Sequence, residues 1–276
     1  MQNNQPHSEH LKKPVTSLTK TCAVVDLGLL SYASAYELQQ RAVSARKAGE
    51  IPDLLLLCEH PHVITLGRNG KLAHLRANDR LLAQMNVEFH ATDRGGDITY
   101  HGPGQLVGYP ILDLAGHRRD VRWYVQLLEE AMIRTSADFG VQARRVEGRH
   151  GLWVDANVGD EEKLAAIGVH LSRWVTSHGF AYNVSTDLRY FDLIVPCGIS
   201  GKRATSLERL LNRAVGLDEV QPILVAHFGE VFDCTMFAMS RSELAARLDN
   251  PTPGAAHPAL VIDEIQTSAA GVMSGD

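Results

Sequence analysis

Apolar positions along the chain repeat with two different spacings. Spacing of three to four residues predicts helices over Tyr32–Val43 with Ser31 as N-cap, Leu75–Met85, Val121–Phe139 ending at Gly140, Glu219–Phe232 and Ser242–Leu248. Short apolar runs bounded by turn residues predict strands over Leu54–Glu59, Val63–Leu66, Val87–Thr92, Ile98–Tyr100, Gln105–Leu112, Gln142–Val146, Leu152–Val154, Leu164–Val169 and Phe180–Val184. Because several strands follow one another without an intervening helix, we expect an α+β fold, a mixed, largely antiparallel sheet with flanking helices.

The two ends of the chain lack this periodicity. Residues 1–20 are polar and predict a disordered N-terminal tail, and residues 251–276 are rich in Pro, Gly, Ala and Ser. In this mostly flexible C-terminal tail only Leu260–Ile265 is apolar enough to dock on the body. We therefore expect a single catalytic domain over residues 21–250.

Composition narrows the class of protein. The 276 residues carry a formal charge of −5, which argues against a nucleic-acid binder that neutralises phosphates. The four cysteines, Cys22, Cys58, Cys197 and Cys234, form no Cys-x-x-Cys pair and fit a reducing compartment. Without an apolar signal region or a run long enough to cross a bilayer, the chain is expected in the cytoplasm, with neither membrane nor nucleic acid as a partner.

Two known motifs, a phosphate-binding loop and a histidine metal site, match this sequence poorly. Residues 198–203 resemble a phosphate-binding loop, but Pro196 stands where the first glycine belongs and Arg203 replaces Ser or Thr. His60 and His62 flank Pro61 and could hold a metal only with a third ligand, which no suitable spacing provides. A turn with a solvated histidine is favoured there, and no metal site is expected.

Three polar segments stand out against the apolar pattern. The segment from Asp93 to Gln105 places two glycines after Arg94 and adds several hydrogen-bonding side chains, which favours either a substrate loop or a tight polar hairpin. Cys197 lies in a sharp Pro-Cys-Gly turn, where it is either a reactive thiol or a small buried apolar residue. Lys163 begins a small apolar strand, where it is either drawn into a cleft for proton transfer or solvated beside Glu161 and Glu162.

Together the three segments resemble the lipoyl(octanoyl) transferase family, the octanoyl-[acyl carrier protein]:protein transferases. The resemblance rests on RGGDITYHGPGQLVGYPILDL, KLAAIGVHLSRWVTSHGFAYNVSTDL and IVPCGISGKRATSL, in the family's order within residues 24–235. It implies the fold of the lipoate- and biotin-protein ligase catalytic core. The tails lie outside the resemblance.

The resemblance also implies roles for particular residues. Cys197 matches the acyl-accepting cysteine, and Lys163 matches the lysine that lowers the thiol pKa and serves as acid and base. Three stretches match the substrate-binding loops: Arg94, Gly95, Gly96, Asp97, Ile98, Thr99, Tyr100 and His101; Ala166, Ile167 and Gly168; and Gly179, Phe180 and Ala181.

The implied reaction moves an octanoyl group from octanoyl-acyl carrier protein to Cys197 and then to a lysine of a lipoyl carrier domain. Its acceptors are the lipoyl domains of 2-oxoacid dehydrogenase complexes and the glycine cleavage H protein, and no ATP, metal or other cofactor is expected. Two alternatives remain: an ATP-dependent lipoate- or biotin-protein ligase, and a non-catalytic module that binds carrier domains. An acidic carrier requires a local basic patch, for which two groups are candidates: Arg118, Arg119 and Arg122, or Arg144, Arg145 and Arg149. The alternative is that these groups form ordinary solvated basic faces.

Overall fold

A computed structural model describes residues 20–157, 160–195 and 203–250. The strands are β1 (Lys20–Leu29), β2 (Asp53–Glu59), β3 (Val63–Leu66), β4 (Glu88–Ala91), β5 (Ile98–His101), β6 (Gln105–Ile111), β7 (Arg144–Val146), β8 (Arg149–Asn157), β9 (Asp160–Ser172), β10 (Val175–Asn183), β11 (Arg203–Ala204) and β12 (Cys234–Ala238). The helices are α1 (Tyr32–Lys47), α2 (Asp79–Gln84), α3 (Val121–Asp138), α4 (Leu207–Leu211), α5 (Leu217–Phe232) and α6 (Arg241–Asp249), with 3₁₀ turns at Leu72–His74 and Leu188–Leu193.

The main sheet has the order β12-β1-β2-β6-β10-β9-β8-β7, and β11 pairs with β9 outside this path. The neighbours from β2 to β7 are antiparallel, whereas β1 lies parallel to both β2 and β12. A smaller sheet has the order β4-β3-β5. The predicted α+β fold with a mixed, largely antiparallel sheet is therefore confirmed.

The main sheet is covered on both faces, which explains the unbroken apolar run in β2. Leu55 and Leu57 face a core shared with α3 and α5, while Leu54 and Leu56 face a second core shared with α1. Successive side chains of a strand point to opposite faces, so a strand buried on both faces needs apolar residues throughout. A third core lies beneath the small sheet.

A buried carboxylate ties β2 to the end of α1. Asp53 accepts hydrogen bonds from Arg46 Nε at 2.7 Å, His117 Nε2 at 2.8 Å and the backbone N–H of Asp113 at 2.9 Å. Burial alone raises the pKa of Asp53, but the hydrogen bonds from His117 and Arg46 outweigh it, and the net pKa lies below its ordinary value.

The predicted helix over Leu75–Met85 is wrong in its first turn. The backbone N–H groups of Arg76 and Ala77 donate to Leu193 O, and Leu75 forms a β-bridge with Ile194. These residues therefore have partners outside a helix, and α2 begins only after Asn78, whose side chain accepts from Leu81 N.

Other differences concern strands. β1 and β12 were not predicted, because their main partners lie far away in sequence and β1 follows a polar segment directly. β8 and β9 are longer than their apolar centres predicted. The small second sheet was not foreseen either.

Residues 1–19 and 251–276 lie outside the described residues, so both predicted tails, the docking of Leu260–Ile265 and the single-domain boundaries stay predictions. Across the described ranges, none of the helices is both long and apolar enough to span a membrane.

Candidate active site

An open cavity of about 970 Å³, its mouth included, lies against β9 and β10. Most residues predicted for the site line it: Arg94, Gly96, Asp97, Ile98, Thr99, His101, Lys163, Ala166, Ile167, Gly168, Gly179, Phe180 and Ala181. The structure thus brings together three stretches that are distant in sequence. The register explains part of this, because Gly179 pairs with Gly168 and Ala181 with Ala166 across the two strands.

Among the predicted residues that the structure describes, Tyr100 and Gly95 do not line the cavity. The ring of Tyr100 is buried against Tyr190, with centroids 5.1 Å apart, and its hydroxyl is hydrogen-bonded to His62 at 2.8 Å. Gly95 donates its backbone N–H to Val169 O at 2.9 Å. Both residues therefore support the loop without lining the cavity: Tyr100 by packing against Tyr190, and Gly95 by its backbone hydrogen bond to β9.

Arg94 fixes the first loop to β3. Its guanidinium donates to the carbonyl of Thr65 at 2.7 Å, to the hydroxyl of Thr65 at 2.9 Å and to Gly95 O at 3.0 Å. The loop approaches β9 so closely that a Cβ at Gly168 would lie 2.7 Å from Gly95 O. Only glycine at position 168 leaves room for this contact.

His101 belongs to a directed chain of buried hydrogen bonds. Asn183 donates to Thr205 O and accepts from Gln105 Nε2, and Gln105 Oε1 accepts from Nδ1 of His101 at 2.8 Å. The remaining nitrogen, Nε2, lies 3.3 Å from the hydroxyl of Thr65. Burial, followed by the charges of His60 and Arg94, lowers the pKa of His101 to about 3, so the imidazole is neutral at physiological pH.

Lys163 lies where β9 meets two other strands. It pairs with Trp153 of β8 and with Ala204 of β11, and its carbonyl accepts from the backbone N–H of Thr205 at 3.0 Å. The Lys163 Nζ lies 5.0 Å from the centroid of the Trp153 ring, in the range of a cation–π interaction.

The carboxylates beside Lys163 have other cationic partners. Glu161 pairs with Arg144 and Arg149, and Glu162 pairs with Arg209. Lys163 lines the cavity, so of its two interpretations the cleft fits the geometry better than a solvated strand end.

Cys197 and its neighbours 196–202 lie outside the described residues. The described chain before them ends at Val195, whose backbone N–H donates to His74 O at 2.7 Å. His74 is in turn hydrogen-bonded to Asp97 in the cavity wall. After the gap, Arg203 and Ala204 line the cavity and pair with β9.

The other three cysteines behave as apolar residues. Cys22 and Cys58 are buried and Cys234 is half-buried. Burial raises the pKa of both Cys22 and Cys58 well above that of an ordinary thiol, so neither forms a thiolate near neutral pH.

The two histidines around Pro61 are engaged by protein groups. His60 is fully buried rather than solvated: its Nδ1 donates to Leu30 O and its Nε2 accepts from the hydroxyl of Tyr109, both at 2.7 Å. His62 stacks on Tyr190 with centroids 4.0 Å apart. Among the described residues, no cluster of three or more His, Cys, Asp or Glu side chains is arranged to hold a metal ion.

His178 lines the cavity and is held by a second hydrogen-bond network, which it forms with Asp93 and Tyr36. Nε2 of His178 donates to Asp93 Oδ1 at 2.7 Å, and the hydroxyl of Tyr36 donates to the same oxygen at 3.0 Å. Burial lowers the pKa of His178. Its φ of 54° is unusual for a residue other than glycine, and its backbone N–H donates to Gln39 Oε1 at 2.8 Å.

Several lining residues were absent from the predicted site: Tyr32, Gln105, Val107, Tyr109, Trp153, His178, Asn183, Phe191, Arg203 and Ala204. Gln105 belongs to the polar segment noted in the sequence and His178 to a matched motif, but neither was predicted as a site residue. The aromatic lining residues could not be predicted, because the sequence pattern of a buried strand is the same whether an aromatic ring faces a core or a cavity.

Comparisons with known proteins agree with this geometry. A family model of the lipoyl protein ligase A/B catalytic domain matches residues 31–229. The octanoyltransferase of Solibacter usitatus is 55% identical over 217 residues, which cover 79% of this chain and 96% of that protein. The octanoyltransferase of Acidobacterium capsulatum is 52% identical over 219 residues, covering 76% of this chain and 89% of that protein.

Among solved structures, a bipartite lipoate protein ligase from Thermoplasma acidophilum superposes with a TM-score of 0.64 at 15% sequence identity. The superposition covers 84% of this chain and 93% of that one. At this identity the likeness concerns the fold alone, and it confirms the predicted similarity to lipoate-protein ligases.

Proposed function

The chain belongs to the octanoyltransferase family, and from this premise we propose that it moves an octanoyl group from octanoyl-acyl carrier protein to a lysine of a lipoyl carrier domain. The octanoyl group is held in between as a thioester on Cys197. The acceptors are lipoyl domains of 2-oxoacid dehydrogenase complexes and the glycine cleavage H protein. Neither ATP nor a metal takes part.

The observation that carries this proposal is the position of Lys163. Its side chain lines the cavity, and β11, the first element after residues 196–202, pairs directly with Lys163. Cys197 is the second residue after Val195 in the sequence. Both ends of the segment that contains Cys197 thus lie beside the cavity, which supports a Cys197–Lys163 pair.

In the first half-reaction the Cys197 thiolate attacks the thioester carbonyl of the donor. The C–S bond to pantetheine breaks, and Lys163 as an ammonium gives its proton to the departing thiolate. One thioester replaces another, so this step is nearly balanced in free energy and needs no activation of the acid by ATP.

In the second half-reaction the neutral ε-amine of the acceptor lysine attacks the Cys197 thioester. The neutral amine of Lys163 takes the proton that the nucleophile loses, and Cys197 leaves as a thiolate. Lys163 and Cys197 are thereby returned to their starting states. Conversion of a thioester into an amide is downhill, which makes the overall transfer effectively irreversible.

The acyl chain requires apolar surface, and the cavity wall provides it through Ile98, Val107, Ile167, Phe180 and Phe191. Burial of a methylene group is worth about 0.8 kcal/mol, so the six methylenes of an octanoyl chain contribute about 5 kcal/mol. This contribution favours a medium-length chain over acetyl or butyryl groups.

The test is intact-mass measurement after mixing the protein with octanoyl-acyl carrier protein, without ATP. Wild type is expected to gain one octanoyl group and pass it to an added lipoyl domain, whereas Cys197→Ser gains none. Cys234→Ser, which changes a half-buried cysteine outside the cavity lining, is the matched control and keeps the adduct.

Lys163→Ala is expected to slow both half-reactions. An adduct on another residue, or transfer of free octanoate that depends on ATP, would refute the proposal, and the second result would indicate a ligase. Binding of carrier domains with neither adduct nor transfer would indicate a non-catalytic module.

A further inference from the structure

We propose that the exposed loop between β3 and α2 is the docking surface for the acidic carrier protein that delivers the acyl chain. This inference rests on the proposed function and names the surface that serves it. We call the surface the basic rim and define it by Arg68, Lys71, Leu72 and Arg76, all of which are exposed.

The basic rim is joined to the cavity wall by backbone hydrogen bonds. Arg68 N donates to Arg94 O at 2.9 Å, and Lys71 N donates to the carboxylate of Asp97 at 3.3 Å. Further along, Arg76 N donates to Leu193 O at 2.9 Å. A protein that docks on the rim is therefore next to Arg94 and Asp97, two residues of the cavity wall.

The rim carries three cationic side chains, and the Asp97 carboxylate beside it is hydrogen-bonded to Lys71 N and to His74. Residues 67–78 include no Asp or Glu, although the chain as a whole has a charge of −5. Within the described part of the chain, no ion pair is formed by Arg68, Lys71 or Arg76. A local cationic surface on an acidic protein attracts an acidic partner and sets its orientation.

Leu72 adds an apolar anchor to this surface. Its side chain is 65% exposed and lies between the cationic residues Lys71 and Arg76 in the sequence. Interfaces commonly combine a buried apolar centre with a charged edge, and the rim offers both on one short loop.

The two basic groups predicted from the sequence are less suitable. Arg144, Arg145 and Arg149 are all ion-paired, with the carboxylates Glu129, Glu130, Asp155 and Glu161. Their positive charge is therefore offset.

The group at Arg118, Arg119 and Arg122 lies at the wrong end of the sheet. Leu114, just before it, bonds to Trp174 at the start of β10, whereas Lys163 lies near the level at which β10 ends. The eight residue steps from Val175 to Asn183 correspond to about 26 Å.

Charge also distinguishes the donor from the acceptor. A donor presents its acyl group on a pantetheine arm that is attached through an anionic phosphodiester, which Arg and Lys bind well. The acceptor presents a lysine ammonium, which a cationic rim repels. We therefore assign the rim to the acyl donor.

The test compares two donors, octanoyl-acyl carrier protein and octanoyl-pantetheine, which lacks the protein. The double variant is Lys71→Glu/Arg76→Glu. At low salt, with octanoyl-acyl carrier protein as donor, its second-order rate constant for Cys197 acylation is expected to lie at least about tenfold below that of wild type. The loss should shrink as salt is raised. With octanoyl-pantetheine the variant should match wild type, which also shows that it is folded. Arg118→Glu/Arg119→Glu is the matched control and should retain at least half the wild-type rate with both donors.

Each other outcome has a definite meaning. An unchanged rate with the carrier protein, or an equal loss with both donors, would overturn the docking surface while leaving octanoyl transfer intact. Normal acylation followed by slow transfer to the lipoyl domain would assign the rim to the acceptor and overturn its assignment to the donor. If wild type accepts the octanoyl group from neither donor, the proposed function itself is wrong.

Discussion

Trp153 allows a direct test of how the site holds Lys163. The ring is 2% exposed, and Lys163 Nζ lies 5.0 Å from its centroid. Because the ring is buried and Lys163 is half-buried, such a cation–π contact is worth about 1–2 kcal/mol. Because Trp153 and Lys163 are also cross-strand partners, the sheet fixes the ring and the ring orients the ammonium. Trp153 is thus a positioning residue rather than a catalytic one.

The perturbation is a pair of substitutions, Trp153→Phe and Trp153→Leu. Both leave unfilled volume in the core, but only phenylalanine keeps an aromatic face. The indole Nε1 is buried with no hydrogen-bond partner in the described structure, so neither change breaks a hydrogen bond to the ring. We expect Trp153→Leu to slow both half-reactions about 5- to 30-fold, the equivalent of about 1–2 kcal/mol. Trp153→Phe should recover most of that rate.

The assay is single-turnover acylation of Cys197 by octanoyl-pantetheine, followed by transfer to a lipoyl domain, with quenched samples measured by mass. The melting temperature of each variant is recorded beside its rates. Orientation of Lys163 predicts that the two variants differ in rate although both are destabilised, with little change in KM for the donor. If the rates of both variants fall equally and in proportion to their melting temperatures, Trp153 contributes packing alone and the reasoning is refuted.

Part of the strand pattern could be predicted from the sequence, because some core strands carry an apolar or glycine signal of their own. The apolar run of β2 and the glycine-bounded β5 need no knowledge of their partners to be recognised. β12 has no such signal, because only two of its five residues are strongly apolar and its sheet partner is β1, at the other end of the chain.

The turn between β9 and β10 likewise has no local sequence signal. Arg173 and Trp174 form its two-residue turn with φ of 52° and 68°. Turns of this kind usually contain Asn-Gly or Asp-Gly, whose conformational preference can be read from sequence. Here the long pairing of β9 with β10 imposes the turn on residues that do not favour it, so the sequence of the turn does not predict it.

The residues of the candidate site were also predicted only in part. Three motifs located Lys163 and the loops around the cavity, because glycines at close approaches such as Gly168 leave a mark in the sequence. Tyr109 and Trp153 left none, since their role depends on which side of a strand faces the cavity. Charge patterns were equally ambiguous: Arg144 belongs to a cationic cluster in the sequence, yet it is paired with Asp155 in the fold.

Two further substitutions test the packing and the electrostatics of the fold. Gly168→Ala places a Cβ 2.7 Å from Gly95 O, so the binding loop must shift at a cost of about 1–3 kcal/mol, and kcat/KM should fall about tenfold. The control is Gly116→Ala, because a Cβ at Gly116 meets only an ordinary contact. Equal activity of the two variants would contradict the close approach at Gly168. Asp53→Asn removes the closer of two carboxylates paired with Arg46, the other being Asp113, and should destabilise the protein by about 2 kcal/mol at pH 7. Because the folded-state pKa of Asp53 lies below its unfolded value of about 3.9, the stability it contributes is present above about pH 4 and is lost as pH falls through the folded pKa. In urea unfolding, the difference between wild type and Asp53→Asn should therefore shrink between pH 7 and pH 3, and a difference that stays constant would mean that the charge of Asp53 does not stabilise the fold.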